Sequence, residues 1–347
     1  MLTGVALFGA LIYLSGPGLV LAELAAVGVL GFLAVVGNVV CFLLAWSISW
    51  YILLRGAGIA VPWWRTLSPM LAGFAVSYIT PSMCLGGEPV RAYWVAKEAQ
   101  VTMARVMATA AVERLLAGIS LLAFASIGGF FAIVSPRISL ADKQAVGLGL
   151  GTVAVFLLLG VVSFARNYRW LSRILRVIAR LFPRRRGLLG AADMVAETET
   201  TMHLAFTRKL GYTSLALLFQ LLTVFLNYLR PQIFFYFTQK ALFTFPQLSL
   251  FFTLNMFLNA FLWLTPGGFG LTDGGRLGIF TLLGIPPSSA VAFNVVYRFV
   301  EVVLVGVGVH LLLQRGLFRL SRGRVEVQVD REATGRYDPP SGGDGRD

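Results

Sequence analysis

The chain has 347 residues, of which 57% are hydrophobic and 13% are charged, and its formal net charge is +13. This much apolar surface exceeds what one soluble core could bury, which excludes a soluble globular protein and indicates an integral membrane protein. The positive charge does not indicate nucleic-acid binding, because the basic residues cluster beside hydrophobic runs and no basic-aromatic binding module is recognisable.

Glycine and proline divide the apolar sequence into helical segments. The predicted segments are residues 2–15, 22–54, 66–80, 103–134, 146–165, 211–240, 247–264, 272–284 and 288–314. We expect about six full spans, because about 20 apolar residues cross the roughly 30 Å hydrocarbon core. Residues 1–320 are therefore predicted to form one all-α polytopic membrane domain, and the polar residues 321–347 a disordered cytoplasmic tail.

Two segments end in the same kind of break. Thr80-Pro81 leads into Gly86-Gly87-Glu88, and Thr265-Pro266 leads into Gly267-Gly268-Phe269-Gly270; the chain has no other Thr-Pro pair. A broken backbone at membrane depth is tolerated only where protein or a water-filled cavity satisfies its polar groups. Paired interruptions in two halves of a chain are typical of a transporter substrate site.

Basic residues predict the topology. Residues 166–209 begin with a dense arginine cluster, which the positive-inside rule places in the cytoplasm. Arg65 and Lys97 are assigned to the same side, so residues 66–98 must enter and leave one face as a re-entrant hairpin. A cytoplasmic C-terminus then requires residues 247–284 to form a second hairpin from the other face. The two hairpins point at each other, as in an inverted repeat, and both chain termini are predicted to be cytoplasmic.

Four ionisable residues fall inside the helices that follow the breaks: Glu113, Arg114, Arg298 and Glu301. Each costs about 2.5 to 3.5 kcal/mol at the centre of a transmembrane helix, so each needs a protein partner or an aqueous cavity. Arg298 and Glu301 are three residues apart and can pair within one helix, whereas the adjacent Glu113 and Arg114 cannot. Either the arginines contact substrate or they serve only in structural ion pairs.

The first break suits an anion. Pro89 is favourable in the first turn of a helix, and Glu88 before it favours the positive helix end. Glycine-rich backbone at a helix start presents free N–H groups to an anion, and Arg91 adds a forked donor suited to phosphate. The alternative is that Glu88 only caps the helix while Arg91 extends to the membrane interface.

The second break predicts a helix with Thr272 or Asp273 as its N-cap. Asp273, Glu88 and Glu113 are candidates for proton coupling, because intramembrane carboxylates often relay protons. The two cysteines and two histidines have no metal-ligand spacing, so we predict no metal and no other cofactor. Arginines in the basic segment repeat at helical spacing, which indicates an amphipathic helix on an anionic leaflet.

Three motifs, in order, resemble the lysylphosphatidylglycerol synthase transmembrane-region family, also called UPF0104. They are Gly86-Gly87-Glu88-Pro89-Val90-Arg91, Val112-Glu113-Arg114-Leu115-Leu116, and Pro266-Gly267-Gly268-Phe269-Gly270-Leu271-Thr272-Asp273. The resemblance covers roughly residues 5–315. Asp273 departs from the family's usual Glu, and no stretch resembles the soluble aminoacyltransferase domain of the lipid-lysylating enzymes, so the resemblance does not imply synthase activity.

The resemblance implies a flippase that moves a phospholipid, aminoacyl-phospholipid, or polyprenyl- or hopanoid-type lipid, with a phosphate-containing or cationic headgroup, between leaflets. The expected location is a bacterial inner membrane, and the expected partners are lipids, a second copy of the chain or a lipid-modifying enzyme. Two alternatives remain: an integral membrane transferase with Glu88 or Asp273 as general base, and a noncatalytic subunit. The candidate substrate-binding residues are Gly86, Gly87, Glu88, Arg91, Glu113, Arg114, Thr265, Pro266, Gly267, Gly268, Gly270, Asp273, Arg298 and Glu301.

Overall fold

The structure is a computed structural model that describes residues 2–80, 86–136, 139–181, 187–239, 242–262 and 266–314. The predicted tail, residues 321–347, and Thr265 lie outside these ranges. The described helices are α1 (Leu2–Leu14), α2 (Pro17–Gly56), α3 (Trp64–Ile79), α4 (Glu88–Ala99), α5 (Met103–Val134), α6 (Leu140–Ala165), α7 (Trp170–Leu181), α8 (Gly187–Thr207), α9 (Leu210–Tyr228), α10 (Arg230–Gln239), α11 (Phe245–Leu262), α12 (Leu271–Leu282) and α13 (Pro287–Gln314). A 3₁₀ turn, Pro266–Gly268, separates α11 from α12.

The all-α polytopic prediction is confirmed. Within the described ranges, five helical stretches are long and apolar enough to cross a membrane: α2, α5, α6, α9 with α10, and α13. The first predicted segment forms α1, whose 13 residues extend about 20 Å at 1.5 Å per residue. Helix α1 is therefore shorter than the hydrocarbon core, so the described residues contain five membrane-spanning stretches where about six were expected.

Both breaks separate two packed helices. In the first hairpin, α3 packs on α4, and Arg65 Nη1 donates to Glu98 Oε1 at 3.0 Å, which joins the open end. In the second hairpin, α11 packs on α12, and the rings of Phe251 and Phe280 stack with centroids 4.5 Å apart. The start of each hairpin therefore lies near its end, as a chain that turns back on itself requires.

The hairpins approach each other from opposite ends of α13. Gly308, in the last third of α13, lies against the Leu71 carbonyl of α3, and Arg298 bonds to Tyr78 further along α3. On the other side of Arg298, the Asn294 side chain donates to the Asp273 carbonyl of α12 at 3.1 Å. One hairpin therefore flanks each part of α13, and Tyr78 of the first hairpin lies close to the second hairpin at the level of Arg298.

The same packing occurs twice in the fold. Helix α5 packs on α11 of the second hairpin, and α13 packs on α3 of the first. Likewise α4 contacts α5, α12 contacts α13, and α2 and α9 pack on each other. Helices α2 to α5 thus correspond in order to α9–α10, α11, α12 and α13. This correspondence is the packing expected of an internal repeat.

The predicted amphipathic helix forms in the basic segment, which contains both α7 and α8. Helix α7 buries Ser172 and Ala179 and leaves Leu171, Ile174 and Ile178 exposed. Its start is held by buried Glu199, whose carboxylate accepts hydrogen bonds from the first turn. The exposed apolar side chains beside arginines are typical of a helix that lies on a membrane surface.

Candidate functional site

The two breaks meet at a direct contact between hairpins. Tyr78, at the end of α3, packs edge-to-face on Phe269, with ring centroids 6.1 Å apart. A Cβ at Gly267 would overlap the Tyr78 ring, so only glycine permits this approach, and its φ of 61° also favours glycine. The end of α3, two residues before the first break, therefore lies directly against the second break.

The first charged cluster links α4 to α5 through two ion pairs. Arg91 Nη2 lies 2.5 Å from Glu113 Oε2, and Arg114 donates from Nε to Glu88 Oε1 at 2.6 Å and also from Nη2. Arg91 and Glu113 are almost fully buried, whereas the Arg114 side chain is 34% exposed. The alternative in which Arg91 extends to the membrane interface is wrong, because its guanidinium is buried against Glu113.

Tryptophans from α2 enclose this cluster. Trp46 Nε1 donates to Glu113 Oε1 at 2.5 Å, and the Arg91 guanidinium carbon lies 4.8 Å from the centre of the Trp50 ring. An aromatic face attracts a cation most strongly where water is excluded. These contacts, with the carboxylate, compensate the burial of Arg91.

The glycines of the first break serve close packing. The Gly87 N–H donates to Ser77 Oγ at 2.9 Å, so the expectation that this group is free for an anion is wrong. A Cβ at Gly87 would overlap the Gly73 carbonyl of α3, which explains glycine at both positions. Gly86 lies at the edge of the described part of the chain.

The second charged cluster centres on Arg298. Its Nε and Nη2 each lie 3.1 Å from one oxygen of the fully buried Asp273, forming a bidentate pair. Arg298 Nη1 also donates to Tyr78 Oη at 2.9 Å and lies 3.3 Å from Glu301 Oε2, as the three-residue spacing predicted. Its guanidinium faces the Phe269 ring at 4.6 Å.

The glycines of the second break shape the backbone around Arg298. The Gly267 carbonyl accepts a hydrogen bond from Arg298, and the Gly268 carbonyl accepts one from Thr272 Oγ1 at 2.7 Å. The N-cap of α12 is Gly270, so the prediction of Thr272 or Asp273 at that position is wrong. Asp273, three residues after this N-cap, accepts a hydrogen bond from the Gly270 N–H at 3.0 Å. The side chain of Pro266 is outside the described part.

A cavity of about 240 Å³, which we call the central cavity, lies beside the first cluster. Its walls include Glu88, Arg91 and Arg114 together with Tyr78 and apolar residues from α2, α3, α5 and α9. Of the fourteen predicted site residues, Gly87 and these three charged residues line it. Asp273 and Arg298 do not, and they lie behind Tyr78.

Three residues that line the central cavity have buried polar atoms without hydrogen-bond partners in the described structure. They are Arg91 Nε and Nη1, Glu88 Oε2 and Gln220 Oε1. Leaving such a group unpaired costs about 1–3 kcal/mol, and more when the group is charged. Donors and acceptors of this kind around a cavity can be satisfied by water or by a polar ligand.

Sequence reasoning missed four residues of the site. Arg276 follows Asp273 by three residues, as Arg91 follows Glu88, and its Nε donates to Asn255 Oδ1 at 3.0 Å. That repeated spacing could have identified it. Arg230 is an ionisable residue within an apolar span, and it lies 4.7 Å from the Phe42 ring. Tyr78 and Trp46 have no comparable sequence signal, because their roles depend on which helices meet.

Residues 1–308 match the sequence model of a protein family described as the lysylphosphatidylglycerol synthase transmembrane region. The chain belongs to this family. The family assignment made from the three motifs is thereby confirmed, and it supports a role connected with membrane lipids.

Two relatives carry the UPF0104 name. A UPF0104 membrane protein of Methanothermobacter thermautotrophicus is 28% identical over 308 residues, covering 86% of this chain and 89% of the relative. Another from Pyrococcus horikoshii is 23% identical over 272 residues, covering 74% and 78%. No solved structure matches the chain. Both charged clusters lie within the region that the family match covers.

Proposed function

We propose that this protein moves a lipid with a phosphate-containing headgroup between membrane leaflets and that the headgroup occupies the central cavity. The observation that carries the proposal is Arg91, which lines this cavity and has two buried guanidinium nitrogens that lack partners in the described structure. Phosphate oxygens satisfy such donors well, because arginine presents several N–H groups in a fixed geometry.

Arg114 supplies the exchangeable contact in this mechanism. It is the most exposed of the four charged side chains in the first cluster, and it lines the same cavity. In this mechanism a phosphate replaces Glu88 as the ion-pair partner of Arg114. The released Glu88 would be neutralised by a proton or by a cationic group of the lipid, because an unpaired buried carboxylate is costly.

The two hairpins are proposed to be re-entrant, with their broken ends near the membrane centre and their open ends at opposite faces. Tyr78 joins the halves through Arg298 and Glu301, so its contacts must change if the hairpins separate during alternating access. In this arrangement the basic α7–α8 segment lies on the cytoplasmic face of the plasma membrane.

Cysteine labelling tests the orientation. Lys97→Cys and Thr244→Cys, placed at the open ends of the two hairpins in a background without native cysteines, are expected to react with an impermeant thiol reagent from opposite faces. Both side chains are exposed, so burial does not limit the reaction. Labelling of both from one face would contradict the opposed arrangement.

Leaflet exchange in liposomes tests the function. In liposomes that contain the purified protein, dithionite should bleach more than half of the fluorescent phosphatidylglycerol. In protein-free liposomes, bleaching should stop near half, because only the outer leaflet is accessible. No acceleration by folded protein would overturn the proposal. Formation of a modified lipid that depends on an added donor would favour the transferase alternative, and a defined complex without intrinsic exchange would favour a noncatalytic subunit.

A further inference from the structure

A second cavity, which we call the α8 cavity, is lined by no residue of either charged cluster. It has a volume of about 230 Å³ and is enclosed by the end of α2, the first turns of α5, the end of α8 and the start of α9. This is close to the volume of the central cavity. Much of its wall is apolar, including Leu53, Ala108, Val112, Leu204 and Ala205.

Two cations also line the α8 cavity. Arg105 is anchored by Nη2, which donates to the Ala57 carbonyl at 2.5 Å, and Lys209 is exposed at the start of α9. Neither has a carboxylate within ion-pair distance in the described part of the chain. An apolar pocket with unpaired cations suits an anion that carries apolar groups, since a free anion would lose hydration against the apolar wall.

A thin partition separates this cavity from the first charged cluster. Thr109 lines the α8 cavity, and its hydroxyl accepts a hydrogen bond from Trp50 Nε1 at 3.1 Å. The other side of the partition is Arg91, whose guanidinium faces the Trp50 ring. Along α5, Val112 faces the α8 cavity while Arg114 faces the central cavity. The Trp50 side chain thus contacts a wall residue of each cavity.

We propose that the α8 cavity is a second lipid site, which binds the headgroup of an anionic phospholipid with its phosphate at Arg105 and Lys209. The glycerol and ester portion would contact the apolar wall. Binding here does not require transport. If the proposed leaflet exchange is correct, this site holds the lipid on the α8 side of the partition, before or after it occupies the central cavity.

Protection of a cysteine in the wall tests the site. Thr201→Cys, in full-length protein without native cysteines, reports access to the α8 cavity because Thr201 lines it. In nanodiscs, phosphatidylglycerol is expected to slow thiol labelling at least fivefold relative to phosphatidylcholine. Lys209→Gln should remove most of this protection. The adjacent Arg208→Gln is the matched control, since Arg208 is exposed and does not line the cavity, and it should retain the protection.

Three results would overturn the proposal: equal protection by both lipids, full protection in the Lys209→Gln protein, or protection by inorganic phosphate alone, which would indicate a free-anion site. The same protein preparation distinguishes this proposal from the transport proposal. Protection without leaflet exchange would support the site and refute the flippase, whereas exchange without protection would do the reverse.

Discussion

The Arg114→Ala protein is expected to exchange phosphatidylglycerol between leaflets about 10–100-fold more slowly than the unchanged protein in the dithionite assay. The reason is the loss of a charged donor at the central cavity, where a hydrogen bond to a charged group is worth about 1.5–3 kcal/mol. Arg114 is partly exposed, and Glu88 keeps Arg91 Nη2 at 3.9 Å after the change, so the protein should stay folded for reconstitution.

Swapping the charges of Glu88 and Arg114 distinguishes a role of Arg114 in substrate binding from a role in structural pairing. The double variant Glu88→Arg with Arg114→Glu retains one cation and one carboxylate but reverses their places. If Arg114 only stabilises the fold, this variant should recover lipid exchange between leaflets. If Arg114 binds the phosphate, lipid exchange should stay slow. Arg176→Ala is the control, because Arg176 belongs to an exposed pair with Asp193 on the α7–α8 surface. Unchanged exchange by a folded Arg114→Ala protein would contradict the role.

The Asp273→Ala protein is expected to lose about 3–5 kcal/mol in free energy of unfolding, measured by denaturation in detergent micelles. Asp273 is fully buried and bidentate to Arg298, and removal of one partner of a buried ion pair leaves an uncompensated charge. It also frees the Gly270 N–H at the start of α12. The loss should therefore concentrate in the second hairpin.

Two variants make this prediction specific. The double change Asp273→Ala with Arg298→Met removes both charges and should recover part of the lost stability, because apolar replacements for a whole buried pair are often tolerated. Asp193→Ala removes an exposed carboxylate from a surface ion pair and should change stability little. Equal stability of the Asp273→Ala and Asp193→Ala proteins would show that the buried pair does not hold the hairpin.

The spacing of charged residues recurs between the two halves of the chain. Glu88 and Asp273 lie in the first turns of corresponding helices, each followed three residues later by an arginine, and Arg114 and Arg298 follow in the next helix. Only a weak spacing match was visible in the sequence. Packing makes the correspondence clear, because Arg114 pairs with Glu88 and Arg298 pairs with Asp273.

The amino-acid sequence alone determined the membrane class, the family, most helix bounds and the positions of both breaks. Hydropathy, proline and glycine act over a few neighbouring residues, so these features are legible locally; α5 begins and ends where its pattern predicted. The charged residues of the two clusters were also visible as ionisable groups within apolar spans.

Only the tertiary structure decided which charges pair and which face a cavity. The sequence excluded a pair between the adjacent Glu113 and Arg114, but only the packing of α4 on α5 made Arg91 the partner of Glu113 and Glu88 the partner of Arg114. The Gly87 N–H bonds to Ser77, and Tyr78 reaches Arg298 from the other half of the fold. Such contacts depend on the rotation and crossing of helices distant in sequence, which no local pattern specifies.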